Sequence, residues 1–178
     1  MTSAKGLDRY ARSAPEWCVL GYYNYAASRA LFESGDSSLW FPAATLGHHA
    51  LEMFLKAVLI HEGMTAFDPG KIKQLDPTLS LTKGDCVWGH ALVVLAKKVA
   101  GKRADFHLGA VLSCSVVRER APINLLRGFE IFDPFLSELR YPQQLQNVEG
   151  PGVCHGELLG HLFAHLEPLL SEIPPPST

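Results

Sequence analysis

Apolar residues along this chain recur mainly at helical spacing. In the first such segment, residues 15–34, they follow the i, i+3, i+4 rule, and Pro15 suits the first turn of a helix. The apolar positions are Leu20, Tyr23, Ala27, Ala30 and Leu31. The pattern predicts a helix over 15–34, followed by a turn at 35–38.

The second segment, residues 39–62, is apolar over well over half of its circumference at about 100° per residue. The apolar positions are Leu46, Ala50, Met53, Phe54, Ala57, Val58 and Ile60. The remaining polar stripe consists of His48, His49, Glu52 and Lys56. Such a helix is expected to pack on at least two sides, either centrally in a bundle or partly against another subunit.

Four further segments show helical spacing. They are 87–100, 104–120, 122–132 and 155–172. Gly101 is expected to end the first of them, and Pro168 to kink the last. After 132 the helix is expected to restart at Asp133-Pro134 and to end at Pro142. Residues 63–85 and 143–152 are predicted to be connections, and no strand alternation of useful length is present. The sequence therefore predicts an all-α fold, an up-and-down antiparallel bundle of five or six helices.

Length and composition favour one globular domain, since 178 residues with 47% hydrophobic content can bury a core. We expect a flexible segment at 1–14, a single bundle over 15–172 and a Pro-rich tail at 173–178. The net charge of −2 argues against a broad basic surface for nucleic acid but allows a local basic pocket.

The location of the protein is predicted from two further features. The first residues contain no signal-like apolar run, and no apolar stretch approaches the roughly 18 residues of a membrane span. The four cysteines, Cys18, Cys86, Cys114 and Cys154, are widely separated and form no C-x-x-C pair. We therefore expect a cytoplasmic protein without membrane contact, and free thiols.

Three segments together resemble the HEPN family of helical bundles. They are GHHALEMFLKAVL at 47–59, GHALVVLA at 89–96 and LRYP at 139–142. The resemblance spans about 15–172. It implies a bundle that dimerises, often with a cleft at or near the dimer interface, and an association with nucleotides or RNA. Some members are ribonucleases of toxin systems, and others are partners of small nucleotidyltransferases.

The chain departs from this family's ribonuclease signature, which is an Arg followed after four to six residues by a His. Arg103 and His107 come nearest, but only three residues intervene. Cleavage of RNA needs a base near the 2′-hydroxyl and a cation near the phosphate, so the missing pair weakens the ribonuclease hypothesis.

The polar stripe of the second helix is the leading candidate site. If Arg140 and Tyr141 face it, and His90 borders it, the group could bind a phosphate or a base edge. The predicted ligand-binding residues are His48, His49, Glu52, Lys56, His90, Arg140 and Tyr141. The alternative is a solvated stripe with an ordinary Glu–Lys pair, or a polar seam that fixes the register of the bundle. His90 could also hydrogen-bond only to nearby backbone, and Arg140 only to the carbonyl groups at the end of its helix.

Two other groups of residues are less specific. His161 and His165, with Glu157 one turn earlier, have ligand spacing, but the paired patterns of a zinc site are missing, so no metal or cofactor is expected. The aromatic residues of the first helix and nearby, which could stack bases, are more often core residues. They are Trp17, Tyr22, Tyr23, Tyr25 and Trp40.

The sequence thus predicts a HEPN-like helical homodimer that binds a nucleotide or nucleic acid without strong catalysis. Two alternatives stay open. One is a divergent, metal-independent ribonuclease of a toxin-type system that uses a histidine as base. The other is an interaction module for a partner of the nucleotidyltransferase type.

Overall fold

The computed structural model describes residues 13–65, 86–87, 89–113, 122–137 and 153–176. These ranges contain helices packed together and no strand, only isolated bridges between Thr65 and Cys86 and between Val111 and Asn124. The predicted all-α bundle is confirmed. The helices are α1 (Ala14–Glu33), α2 (Trp40–His61), α3 (Leu92–Lys102), α4 (Leu125–Phe132), the short α5 (Pro134–Ser137) and α6 (Val153–Leu170).

Local signals define the α1–α2 hairpin, and its predicted bounds are correct to within one residue. The Glu16 carboxylate accepts from the backbone N–H of Ser13 at 2.6 Å, which caps the start of α1. After α1, Gly35 adopts a positive φ of 73°. Asp36 then accepts from the N–H of Ser38 at 2.9 Å and opens a 3-10 turn, Ser37–Leu39, that leads into α2.

Helix α2 lies at the centre of the bundle and contacts all five other helices. Leu51, Phe54, Leu55 and Leu59 on this helix are completely buried. The prediction that α2 packs on at least two sides is confirmed. Gly47 permits a close approach, because a Cβ there would lie 2.9 Å from the ring of Phe132.

Helix α3 begins later than the sequence predicts. The expected start at 87 is wrong, because Gly89 has a φ of 95° and residues 89–91 are not helical. Leu92 is the first helical residue, and its N–H donates to the Asp133 carboxylate at 2.6 Å. The expected stop at Gly101 is also wrong, since the helix continues through Lys102.

The helix predicted at 104–120 is wrong over 104–113, which form turns. Their backbone groups bond to a later part of the chain instead: Leu112 N–H donates to Ile123 O at 2.9 Å, and Leu125 N–H donates to Ala110 O at 2.8 Å. The next helix starts at Leu125 rather than 122, because the Asn124 side chain caps it by accepting from the N–H of Arg127. The restart at Asp133-Pro134 is confirmed.

The last helix, predicted at 155–172, runs over Val153–Leu170 and contains Pro168. Most of the connection at 63–85, all but two residues of the N-terminal segment 1–14, and Cys114 lie outside the described residues, as does the connection at 143–152. Cys18, Cys86 and Cys154 are free thiols. Among the described helices, none combines the length and apolar character needed to cross a bilayer.

Candidate functional site

A buried carboxylate in the middle of α2 organises the candidate site. Glu52 is 3% exposed, and its Oε1 accepts from Lys56 Nζ at 2.5 Å and from His90 Nδ1 at 3.0 Å. Its Oε2 is buried, and within the described residues it accepts no hydrogen bond. His49 Nδ1 lies 3.8 Å from Oε2, an electrostatic contact only. We call these four residues, Glu52, Lys56, His49 and His90, the Glu52 cluster.

The Glu52 cluster keeps its carboxylate ionised. Burial by itself would raise the pKa of Glu52, but the contacts with His49, Lys56 and His90 outweigh it and lower the pKa to about 2. A negative charge is therefore present in the interior of the protein at any pH near neutrality. The ammonium group of Lys56 beside it balances that charge.

Lys56 is almost as buried as its partner, at 7% exposure. Its Nζ lies 5.3 Å from the centre of the Trp17 ring, within the range of a cation–π contact. The interpretation of a solvated Glu–Lys pair is therefore wrong. His49, with 32% of its side chain exposed, is the member of the α2 stripe that reaches solvent.

His90 borders the cluster from the segment just before α3. Its side chain is 53% exposed, and its Nδ1 is directed to Glu52. The backbone of this segment has contacts as well, since His90 O lies 3.1 Å from His48 Nε2 and Leu92 N–H donates to Asp133. These contacts leave the Nε2 edge of the imidazole as the one that can meet a ligand.

His48 lies behind the cluster rather than on its open face. It is 1% exposed, with Nδ1 2.9 Å from Phe132 O and Nε2 3.1 Å from His90 O. Burial lowers the pKa of His48, more than the contact with Phe132 O and the charges of Glu52 and Asp133 raise it. For this residue the geometry matches the polar seam that joins elements of the bundle.

Arg140 and Tyr141 lie outside the described residues. The expectation that they face Glu52 and Lys56 stays a prediction. The structure thus brings together five of the seven candidate residues, with Glu52, Lys56, His49 and His90 in one cluster and His48 directly behind it.

Arg103, the arginine nearest to the ribonuclease signature, is engaged elsewhere. Its guanidinium donates to Asp105 at 2.8 Å, to Glu172 at 2.6 Å and to Glu62 at 3.2 Å. The hydrogen bonds with Glu172 and Asp105 raise its pKa. With its charge matched by carboxylates, Arg103 is poorly suited to bind a phosphate. Its partners Glu62 and Glu172 lie 41 and 69 positions away, so no local pattern indicates them.

Comparisons with protein-family models, with curated proteins and with solved structures find no match to this chain. The resemblance to the HEPN family therefore stays a prediction that rests on the three sequence segments.

The other candidate groups have structural contacts. Tyr25 stacks on Phe163 with ring centres 4.4 Å apart, and Tyr22 meets Phe54 edge-on at 5.1 Å. His161 lies 3.8 Å from Glu157. Within the described ranges, no group of three His, Cys, Asp or Glu side chains could hold a metal ion.

The protons on the imidazole nitrogens determine which hydrogen bonds the Glu52 cluster can offer to a ligand. A carboxylate facing Nδ1 favours the proton on that nitrogen, so a neutral His90 presents Nε2 as an acceptor and a protonated His90 presents it as a donor. Because the charges of Glu52 and Lys56 cancel, the net charge of the cluster is zero when both imidazoles are neutral. It gains one positive charge for each imidazole that is protonated.

Proposed function

We propose that this chain is a HEPN-like helical bundle that binds a nucleotide or nucleic acid through phosphate, without strong catalysis. The observation that carries the proposal is the buried Glu52 carboxylate with two part-exposed imidazoles around it. His90 Nδ1 lies 3.0 Å from one of its oxygens and His49 Nδ1 lies 3.8 Å from the other. Isolated surface histidines have no such shared anchor.

Phosphate is the favoured ligand because of the sign of the charge that the cluster can gain. Protonated imidazoles donate charge-assisted hydrogen bonds to phosphate oxygens. Lys56 is too buried to contact a ligand directly, and it supports the site by balancing Glu52. We expect affinity for phosphate-bearing ligands to be higher when these imidazoles are protonated than when they are neutral.

Arg140 and Tyr141 are proposed to complete the site, on the sequence resemblance alone. A planar guanidinium binds two phosphate oxygens at once, which would supply the permanent positive charge that the Glu52 cluster lacks. Arg140→Gln is expected to weaken binding at every pH, whereas loss of one imidazole should reduce the pH dependence of binding.

The test is a calorimetric titration of ATP and of short single-stranded RNA at about pH 6 and about pH 7.5. We expect tighter binding at the lower pH, and weaker binding in His90→Gln and in His49→Gln. His161→Gln is the matched control, because His161 is a part-exposed helical histidine beside a carboxylate on α6. No heat with either ligand at protein concentrations near millimolar would contradict the proposal.

A second candidate, a divergent metal-independent ribonuclease, is favoured by the Glu52–His90 pair. A carboxylate that orients an imidazole through Nδ1 leaves Nε2 free to take a proton, the arrangement of a general base. This candidate predicts RNA cleavage that resists a metal chelator and disappears in His90→Ala. Cleavage that survives both His49→Ala and His90→Ala would remove it.

A homodimer is part of the proposal, because the resemblance implies one and α1 exposes apolar side chains. Val19, Tyr22 and Tyr23 are 37%, 43% and 69% exposed. We expect a dimer in light scattering of the purified protein, and a shift toward monomer in Tyr23→Glu. A monomer at all concentrations would contradict this part of the proposal without affecting the ligand site.

A further inference from the structure

His48 is an imidazole buried between two backbone carbonyl groups. Its Nδ1 lies 2.9 Å from Phe132 O, at the end of α4, and its Nε2 lies 3.1 Å from His90 O, just before α3. Both distances are those of hydrogen bonds. Both partners, however, are oxygens that only accept.

The number of ring protons limits what His48 can do. A neutral imidazole carries one N–H, so it donates to one carbonyl and turns a lone pair toward the other. Only the protonated ring donates to both carbonyls at once. The shorter contact, 2.9 Å against 3.1 Å, favours Phe132 O as the partner of the neutral ring.

We propose that His48 is a positioning residue whose protonation fixes the main chain at His90. The neutral ring holds the carbonyl of Phe132 alone, and the protonated ring holds the carbonyls of Phe132 and His90 together. The consequence for ligand binding rests on the proposed function, because the segment that His48 holds carries the imidazole that faces Glu52.

Packing explains why protonation of His48 is expected to affect the main chain at His90 and not at Phe132. At the other end, the Phe132 ring lies against Gly47 and is completely buried, so the carbonyl of Phe132 is held by the core. Residues 89–91 belong to no helix. A hydrogen bond gained or lost at His90 O therefore acts on an irregular segment beside the Glu52 cluster.

The charges around His48 determine when the ring is protonated. The ionisable groups near it are His49, Glu52 and Lys56 on α2, Asp133 after α4, His90 before α3, and His155 on α6, whose ring packs against Phe132. Burial disfavours the charged ring most, and Glu52 and Asp133 favour it. A phosphate bound at the cluster would add negative charge nearby, so ligand binding and proton uptake by His48 are expected to promote each other.

The test is an NMR titration of the full chain from about pH 7.5 down to the onset of acid unfolding, following the ring nitrogens of His48 and the carbonyl carbon of His90. We expect one neutral form at the upper pH, with the proton on Nδ1. At the lower pH both nitrogens should carry protons, and the His90 carbonyl signal should shift with the midpoint of His48. A proton on Nε2 at the upper pH, a ring that stays neutral until the protein unfolds, or an unmoved carbonyl would each overturn the proposal.

A variant separates this inference from the proposed function. In His48→Gln the side-chain amide donates at every pH, so the step in the His90 carbonyl signal should disappear, whereas it should persist in the control His161→Gln. ATP affinity of His48→Gln should also depend less on pH than that of the unsubstituted protein. If ATP does not bind at all, the proposed function fails, but the carbonyl step in the unsubstituted protein still decides the role of His48.

Discussion

Two charge clusters in this molecule have the same composition with opposite signs and very different surroundings. Glu52 is one carboxylate among three basic side chains, Lys56, His49 and His90. Arg103 is one guanidinium among three carboxylates, those of Glu62, Asp105 and Glu172. The side chain of Glu52 is 5% exposed and that of Lys56 is 9% exposed, whereas the partners of Arg103 are 27% to 58% exposed.

The difference in burial changes what each cluster does. Around Glu52, removal of either ion from water is costly, so the loss of one partner leaves a buried charge without compensation. Around Arg103, whose own side chain is 15% exposed, the three carboxylates are open to water and salt, so each contact adds little. The Arg103 cluster joins the ends of three helices, because Glu62 follows α2, Arg103 follows α3 and Glu172 follows α6. The Glu52 cluster instead binds the His90 ring to the central helix α2 and places its charge beside His49.

The largest expected effect is that of Glu52→Gln, which keeps the shape of the side chain and removes its charge. Because Lys56 would remain buried without a counter-charge, we expect the free energy of unfolding to fall by about 3–5 kcal/mol in urea denaturation. The double variant Glu52→Gln/Lys56→Met should lose less than the sum of the two single losses. Strictly additive losses would show that the pair does not interact.

The second prediction concerns the stability of the fold at low pH. The folded pKa of Glu52 is about 2, against an ordinary value of 4.5, so the unfolded chain takes up the proton first as the pH falls. Its contribution to stability is complete above about pH 5 and is lost between about pH 5 and pH 2, on the order of 3 kcal/mol. Urea midpoints measured across this range should decline less in Glu52→Gln than in the unsubstituted protein.

Salt distinguishes the two clusters in that experiment. Arg103 lowers the pKa of Asp105 and of Glu172, so these carboxylates also lose stabilising contacts as the pH falls. The contribution of Asp105 and Glu172 to the loss of stability in acid should decrease in about 1 M NaCl, where the screening length is about 3 Å. The contribution of Glu52 to that loss should persist at the same salt concentration. A decline that salt abolishes entirely would mean that the Glu52 cluster is open to water.

Much of the fold could be predicted from the sequence where the deciding contacts are local. The ends of α1 are set by Ser13 with Glu16 and by Gly35, all within a few residues of the helix. The Glu52–Lys56 pair is a contact between neighbouring turns of one helix, so its proximity also follows from spacing.

The errors occur where the deciding contacts are distant. The start of α3 depends on Asp133, which lies 41 positions after the residue that it caps. The sequence places His48 on a polar stripe, whereas in the fold it is buried and contacts Phe132 O, 84 positions away. The carboxylate of Glu172 lies 69 positions from Arg103. No single-sequence pattern contains these pairings, because they are produced by the packing of elements that lie far apart in the sequence.

A third prediction tests whether the Glu52 cluster depends on the backbone near it. Asp133→Ala removes the acceptor for the Leu92 N–H, and we expect a loss of about 1 kcal/mol in the free energy of unfolding. Asp133→Asn, which retains an acceptor oxygen, should lose less. Because the same contact fixes the segment after His90, the NMR signals of the His90 ring should shift more in the Ala variant. Unchanged His90 signals in a folded Asp133→Ala protein would show that Glu52 alone positions the imidazole.

The smallest expected effect is that of Arg103→Gln. Although this substitution removes three ion pairs at once, their carboxylates return to water, so we expect a loss of about 1 kcal/mol or less. The loss should decrease in about 1 M NaCl. Arg29→Gln is the matched control, since Arg29 forms a single surface pair with Glu33 at 2.6 Å. If Arg103→Gln instead cost as much as Glu52→Gln and did not respond to salt, the number of partners rather than their burial would govern the strength of these clusters.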